Sequence, residues 1–576
     1  MRKSNYEKYP VTIVEGELVK YWENIIPQLK KTINEKSVIA IECYQGVNKE
    51  EVVNAFRDMQ AAVFFTMEEL YKPVAEIEKM TNPLLTDDVL FGHRTYLCLN
   101  DYLDSKKVEA ARTEIKATQG LSIVIGTGAT LVMPNADLVV YMDMARWEII
   151  QRFRRGEVNG IGVVSKQESA SVQYKRGYFN DWVVCDKHKR DIFHKVSFWI
   201  DTHIAQQPKM ITHETFMQGI EATIKTPFRV VPFFDPAPWG GQWMKDVCDL
   251  DRQRSNFGWC FDCVPEENSL LFKVDGEIFE LPSNNLVFLK SKELLGEAVE
   301  GRFGKDFPIR FDFLDTYDGG NLSLQVHPTT QYVRDTFGMH YTQDESYYLL
   351  DAEEDGVVYL GVKEGINADD MINDLRSAQR GETVFDTERY INKFPAKKHD
   401  HFLIPAGTIH CSGKNSMVLE ISATPNIFTF KLWDWGRLGL DGKPRPINIE
   451  HGKNVINWSR DTIYVKEHLV NYVKVIEEGD GYVEESTGLH PAEFIETRRH
   501  WFSKKVLHNT NGSVNVLNLI EGSEVLVESP GNAFEPFIVH YAETFIVPAA
   551  VGKYTITPIG NTQNEKFGTI KAFVKI

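Results

Sequence analysis

Leu322-Ser323-Leu324-Gln325-Val326-His327-Pro328 is the stretch that decides how this chain is read. Alternate side chains of a β-strand point to one face. Ser323, Gln325 and His327 therefore share one side, and Leu324 and Val326 take the other. Polar groups on one face and apolar groups on the opposite face suit a barrel wall with a functional interior. A histidine and a glutamine are too few to hold a metal tightly, so further ligands must come from other strands.

Two later segments offer them. Tyr341-Thr342-Gln343-Asp344-Glu345-Ser346-Tyr347-Tyr348-Leu349-Leu350 reads as the next strand, with Glu345 at its polar start. His401-Phe402-Leu403-Ile404-Pro405-Ala406-Gly407-Thr408-Ile409-His410 has an apolar run, a Pro-Ala-Gly turn and then a histidine. Two imidazoles, one carboxylate and one amide oxygen suit a divalent ion such as Zn²⁺, with a coordination place left for substrate or water. Each residue alone reads as an ordinary polar group on a strand. The strand-alternating Gln-x-His combined with the turn-placed His favours the metal site.

These pieces resemble the class I mannose-6-phosphate isomerases, zinc-dependent enzymes of the cupin fold. Val418-Leu419-Glu420-Ile421-Ser422, followed by Phe428-Thr429-Phe430-Lys431-Leu432-Trp433-Asp434-Trp435-Gly436-Arg437, resembles the family's stretch downstream of its last ligand. Trp239-Gly240-Gly241 resembles its Trp-Gly-Gly near the start of the catalytic domain. The likeness runs from about Phe233 to Pro446. It implies Gln325, His327, Glu345 and His410 as ligands of one Zn²⁺ per chain. It also implies isomerisation of mannose 6-phosphate to fructose 6-phosphate, by proton transfer through a metal-stabilised enediolate.

Glu420 lies on the strand leading away from the His410 turn. It is either the base that moves the proton or a group orienting a ligand histidine. The resemblance implies that Lys431 and Arg437 bind phosphate or assist proton transfer. It also implies that Ser323 contacts the substrate phosphate, with a packing hydroxyl as the other reading. The family usually has arginine where Lys431 stands, and lysine lacks the forked geometry that grips an oxyanion twice. Many members carry lysine where this chain has Gln343. These departures favour the alternative of a sugar-phosphate-binding or sensing cupin without turnover. His399 and His401 read as packing residues or as neighbours of the pocket.

The first 205 residues alternate strand and helix. Val38-Ile39-Ala40-Ile41-Glu42 is an apolar run, followed by a helical pattern from Glu50 to Glu78. Leu121 to Gly126 and Asp137 to Asp143 read as strands, and Ala145 to Arg155 as a helix with Trp147, Ile150 and Phe153 along one stripe. Such alternation predicts a parallel sheet covered by helices. Leu138 to Glu148, then Arg152 to Arg155, resembles the later part of P-loop sugar and nucleoside kinases of the uridine kinase type, where a basic helix forms a lid over phosphates. A working P-loop needs glycines and a Lys-Ser/Thr pair. Cys43-Tyr44-Gln45-Gly46-Val47-Asn48-Lys49-Glu50-Glu51 keeps one glycine and places a carboxylate after the lysine. The domain is therefore read as a degenerate one that binds a ligand weakly or supports a homodimer. A bifunctional sugar kinase/isomerase is its active alternative.

The expected fold is thus multidomain. An α/β parallel-sheet, P-loop-kinase-like domain spans 1–205, and a connecting segment, helical from Glu214 to Ile224, spans 206–232. A catalytic cupin spans 233–446 with a helical interruption at Ala368 to Ala378, and a second, metal-free cupin-like β domain spans 447–576. The second β domain holds a partial repeat. Glu543-Thr544-Phe545-Ile546-Val547-Pro548-Ala549-Ala550-Val551-Gly552 parallels His401 to Thr408, with no histidine where His410 stands, and Gly512 to Leu519 has no Gln-x-His.

The chain's 576 residues need several cores. A net charge of −17 argues against general nucleic-acid binding, while a sugar phosphate needs only a local cluster of cations. No run of about 18 apolar residues occurs, so no membrane span is expected, and the first ten residues have no signal-peptide pattern. Seven cysteines, an odd number, point to reduced thiols and a cytoplasmic setting. Cys260 and Cys263 form a lone C-x-x-C that reads as strand filler.

Overall fold

The computed structural model describes residues 4–425, 427–439, 442, 445–488, 490–560 and 566–576. Contacts divide the chain into two units. One comprises Val11–Thr223 and Glu266–Leu289; the other comprises the N-terminal residues to Pro10, Ile224–Pro265 and Lys290–Ile576. No helix among the described residues is long and apolar enough to cross a membrane.

The first unit is built on strands β1 (Val38–Cys43), β2 (Val63–Thr66), β3 (Ser122–Gly126), β4 (Leu138–Asp143) and β5 (Phe198–Asp201). They are parallel, in the order β2-β3-β1-β4-β5, and antiparallel Lys209–Thr212 and Val19–Lys20 extend the sheet beyond β5. Every residue of β3 and β4 is buried, which explains their unbroken apolar runs. The expected helical stretch from Glu50 to Glu78 is broken. Lys49–Arg57 and Val74–Leu85 are helices, but Val63–Thr66 between them is β2. Val63-Phe64-Phe65-Thr66 is β-branched and aromatic, a composition that fits a pleated sheet better than a helix.

The basic helix Arg146–Arg155 also differs from a phosphate lid. Arg152 is buried, and its guanidinium donates to the carbonyls of Gly46 (2.9 Å) and Thr202 (2.8 Å). Arg155 pairs with Glu148 and Glu157. Lys49 is engaged as well, 2.6 Å from Glu68. Buried charges at the carboxyl ends of the strands are paired, as burial requires. Glu42 accepts from the backbone N–H groups of Gly128 and Thr130 and lies 2.9 Å from His188, and Lys189 lies 3.1 Å from Asp143.

The second unit contains two β domains. The first has β6 (Ile309–Asp315), β7 (Leu324–Val326), β8 (Glu345–Ala352), β9 (His401–Ile404), β10 (His410–Ser412), β11 (Ser416–Ala423) and β12 (Phe430–Trp433). One sheet runs β9-β8-β11-β6 and continues through Trp259–Cys263 to Phe233–Asp235. The other runs β10-β7-β12 and is extended beyond β10 by Val357–Val362 and Ile391–Pro395. The helix Ala368–Gln379 interrupts the strands, and Cys260 and Cys263 are both buried. In the Trp-Gly-Gly motif, a Cβ on Gly241 would fall 2.6 Å from the backbone N and O of Tyr317, so the close approach of these segments requires glycine.

The second β domain pairs a six-stranded sheet with a four-stranded one. Their shared core includes Phe502, Leu517, Val527, Phe545, Tyr554 and Phe567. Thr544–Val547 leads into Pro548 and a 3-10 turn at Ala549–Val551, and β9 likewise leads into Pro405.

Candidate metal centre

Gln325 in β7 sits directly opposite His410 at the start of β10 and opposite Lys431 in β12. His327 follows the end of β7, and Glu345 opens β8. The strand alternation thus turns Gln325 and His327 toward the same interior that receives Glu345 and His410. Ligand atoms of His327, Glu345 and His410 all lie within 4.8 Å of one another, and the three residues are at most 2% exposed.

The hydrogen bonding fixes how the rings face each other. His327 Nδ1 donates to the carbonyl of Phe428 and His410 Nδ1 to that of Thr408, each at 2.9 Å. With the ring protons on Nδ1, both Nε2 lone pairs face the carboxylate: His327 Nε2 is 3.1 Å from Glu345 Oε2 and His410 Nε2 is 2.8 Å from Oε1. These contacts are acceptor against acceptor, and neither His327 Nε2 nor Glu345 Oε1 has a hydrogen-bond donor. Such an arrangement is favourable when a cation, or an added proton, lies among the three groups. The Gln325 amide nitrogen is 3.2 Å from His410 Nε2, and a half-turn of the amide presents its oxygen instead. Two imidazole nitrogens, a carboxylate and an amide oxygen make a donor set that fits a divalent ion.

The electrostatics follow from burial. Burial alone would raise the Glu345 carboxyl, but His327 and His410, once protonated, hold it well below the usual carboxylate range. Glu345 in turn raises His327 against its own desolvation. Glu420 is 4% exposed and faces Asp312 and Tyr347 across the sheet. Burial, then the charges of Glu345 and Asp312, push its pKa well up. The Gln343 amide nitrogen donates to Glu345 Oε2 (3.0 Å) and to Glu420 Oε1 (3.3 Å), joining the two carboxyls. Gln343 thus clamps the two carboxyls together.

A basic network lies beside Gln325. Lys431 is half-buried, and desolvation followed by the charge of Arg445 lowers it to about 8. Arg437 donates to the Asp434 carboxylate (2.6 Å) and to its backbone carbonyl, and bonds the carbonyl of Asn321. Arg445 lies 2.8 Å from Asp434, and Ser323 donates to Asp434 at 2.8 Å. Ser323 is thereby held by Asp434, and Arg437 acts as a strut between two chain segments. Asp434 and Arg445 were not singled out from the sequence; the Trp-Asp-Trp and Arg-Pro contexts carry no spacing that would mark them. His401 Nδ1 donates to the carbonyl of Thr487, and His399 lies 3.1 Å from Glu521, so neither joins the cluster.

Comparison with known proteins divides along the chain. Residues 21–225 match a family model described as a domain of unknown function (DUF8485). A mannose-6-phosphate isomerase of Streptococcus mutans is 26% identical over 220 residues, 38% of this chain and 64% of that protein. A putative mannose-6-phosphate isomerase of Bacillus subtilis, YvyI, is 22% identical over 342 residues, 58% of this chain and 96% of that protein. The crystal structure of the mannose 6-phosphate isomerase from B. subtilis aligns with 60% of this chain and 99% of its own, at a TM-score of 0.49 and 19% identity. The chain spans 64% and 66% of the length of the first two curated relatives.

Proposed function

We propose that this chain is a metal-dependent aldose–ketose isomerase of a sugar phosphate, with mannose 6-phosphate and fructose 6-phosphate as its substrate pair and Zn²⁺ as its ion. The observation that carries this reading is the meeting of His327 Nε2, His410 Nε2 and the Glu345 carboxylate, with His327 Nε2 and Glu345 Oε1 lacking any donor and Glu420 joined to the same carboxylate through Gln343. Similarity to curated isomerases supports the substrate class.

A divalent ion held by His327, Glu345, His410 and Gln325 supplies a Lewis acid toward the carbonyl and neighbouring hydroxyl oxygens of an open-chain sugar. Glu420 moves the proton, taking it from C2 of the aldose on a carboxylate oxygen and delivering it to C1. Burial and the charges of Glu345 and Asp312 raise its proton affinity, which favours its holding a proton between the two carbons. Gln343 positions that carboxylate. Lys431 offers a cation to the substrate's anionic end, and Asp434 holds Arg437, Arg445 and Ser323 in one network behind it.

The test is an isomerisation screen over aldose 6-phosphates, before and after chelation and with metal restored. Turnover should vanish on chelation and return with the ion, and His410→Ala should lose both metal and activity. Turnover that survives both treatments overturns the proposal. Ligand-induced thermal stabilisation with no turnover of any sugar phosphate would select a sensing role instead.

A further inference from the structure

The α/β unit holds a cavity of about 550 Å³, within the size range of small-molecule sites. Its position follows from the strand order. From β1 the chain passes to β2 and returns to β3 on one side, then crosses to β4 on the other side of β1. Such a reversal leaves a crevice outside the carboxyl end of the central strand, where open α/β sheets take their ligands. The cavity wall contains Gln45, Gly46 and Val47, just after β1, and Tyr71 and Thr127, shortly after β2 and β3. Gly46 sits at φ +103°, where a Cβ would be strained and would press on Ile149, so its backbone can border the space.

The charges around the cavity are unevenly matched. Lys49, Lys72, Lys107 and Lys166 line it, against Glu50, Glu68 and Glu157. Glu68 is paired with Lys49 and Glu157 with Arg155. Lys72 and Lys107 donate to the neutral carbonyls of Asp101 (2.6 Å) and Tyr71 (2.9 Å). Among the described residues, no carboxylate lies within ion-pair distance of Lys72, Lys107 or Lys166. Outside these pairs three lysines face a single carboxylate, Glu50, which leaves a cationic excess at one pocket of a chain whose net charge is −17. The rest of the wall mixes apolar Val47, Val158 and Ile161 with the neutral polar side chains of Gln45, Asn48, Thr127 and Asn159. A ligand with an anionic head and a compact body matches both parts.

We infer that this cavity is a second small-molecule site, which binds a phosphate ester through Lys72, Lys107 and Lys166 independently of the barrel's metal centre. A nucleotide and a sugar phosphate share that chemistry. Lys49 is committed to Glu68, so the site is assigned binding and no phosphoryl transfer.

Calorimetric titration of the full chain with MgATP, UMP, mannose 6-phosphate and inorganic phosphate tests it, with His410→Ala as the background that disables the barrel. At least one ester should bind saturably, with Kd below about 1 mM, equally in the parent and in His410→Ala. Lys166→Glu, at an exposed position, and the double variant Lys72→Glu/Lys107→Glu should each weaken it at least about tenfold, an effect of roughly 1.4 kcal/mol. Whether the ester is a nucleotide or a sugar phosphate identifies the source. Absence of saturable binding by any ester overturns the inference. So does binding that disappears in His410→Ala and ignores the lysine variants, or inorganic phosphate binding as tightly as every ester.

Discussion

Replacing Glu345 by glutamine isolates the charge at the centre of the cluster. The two side chains are nearly the same shape, and Glu345 is 2% exposed, so packing is preserved. What is lost is one negative charge facing two imidazole nitrogens at 2.8 and 3.1 Å. A pair of unit charges 4 Å apart in surroundings of effective dielectric about 20 interacts by about 4 kcal/mol, and a divalent ion roughly doubles that. Part of the difference is recovered because the neutral amide is easier to bury. A net loss of at least about 4 kcal/mol, or roughly a thousandfold in metal affinity, is therefore expected. The introduced amide can donate to an imidazole Nε2, so the metal-free fold should persist. The assay is metal content after dialysis, with chelator competition for affinity and circular dichroism for the fold. A Glu345→Gln protein that keeps stoichiometric metal within tenfold of the parent affinity would refute the reasoning.

Three further outcomes are expected. Lys431→Ala should raise KM for the sugar phosphate at least about tenfold, with a smaller effect on kcat, while Lys431→Arg retains binding because the charge remains; an unchanged KM would remove Lys431 from the substrate. Gly241→Ala should lower the melting transition of the β unit by an overpacking cost of about 1–3 kcal/mol, since its Cβ would fall 2.6 Å from the Tyr317 backbone; an unshifted transition contradicts that crowding. In the α/β unit, burial lowers the His203 pKa, but Glu280 and Asp201 overcome it and raise it to about 9 from an ordinary 6.5. The protonated imidazole therefore stabilises the folded unit fully below pH 6.5, and that stabilisation fades as pH climbs through 9. Calorimetric scans across this window should show the α/β transition falling, and His203→Gln should flatten the slope; an equal slope in the variant would contradict the assignment.

Much of the centre is written in local pattern. Period-two alternation turns Gln325 and His327 inward, and the Pro-Ala-Gly turn delivers His410 opposite Gln325. What the sequence hides is long-range. Gln343 looks like a lost cation until β8 and β11 pair and bring Glu345 and Glu420 to the two ends of its reach. Asp434 gains its role only when Ser323 and Arg445, 111 and 11 residues away, meet it. The strand Val63–Thr66 is obscured by helix formers on both sides, and only its parallel pairing with β3 settles its state. The hairpin of Ser269–Val274 and Glu277–Pro282 joins the α/β unit through pairing with Thr12–Val14, a contact across more than 250 residues that no local signal announces.

The most direct measurement is anomalous diffraction from crystals of the purified protein, collected above and below the zinc edge. A single strong peak enclosed by His327 Nε2, Glu345 and His410 Nε2 is the predicted result. Crystals grown with zinc that show no peak there, or show ordered zinc only elsewhere, would contradict the metal centre and the isomerase reading that rests on it.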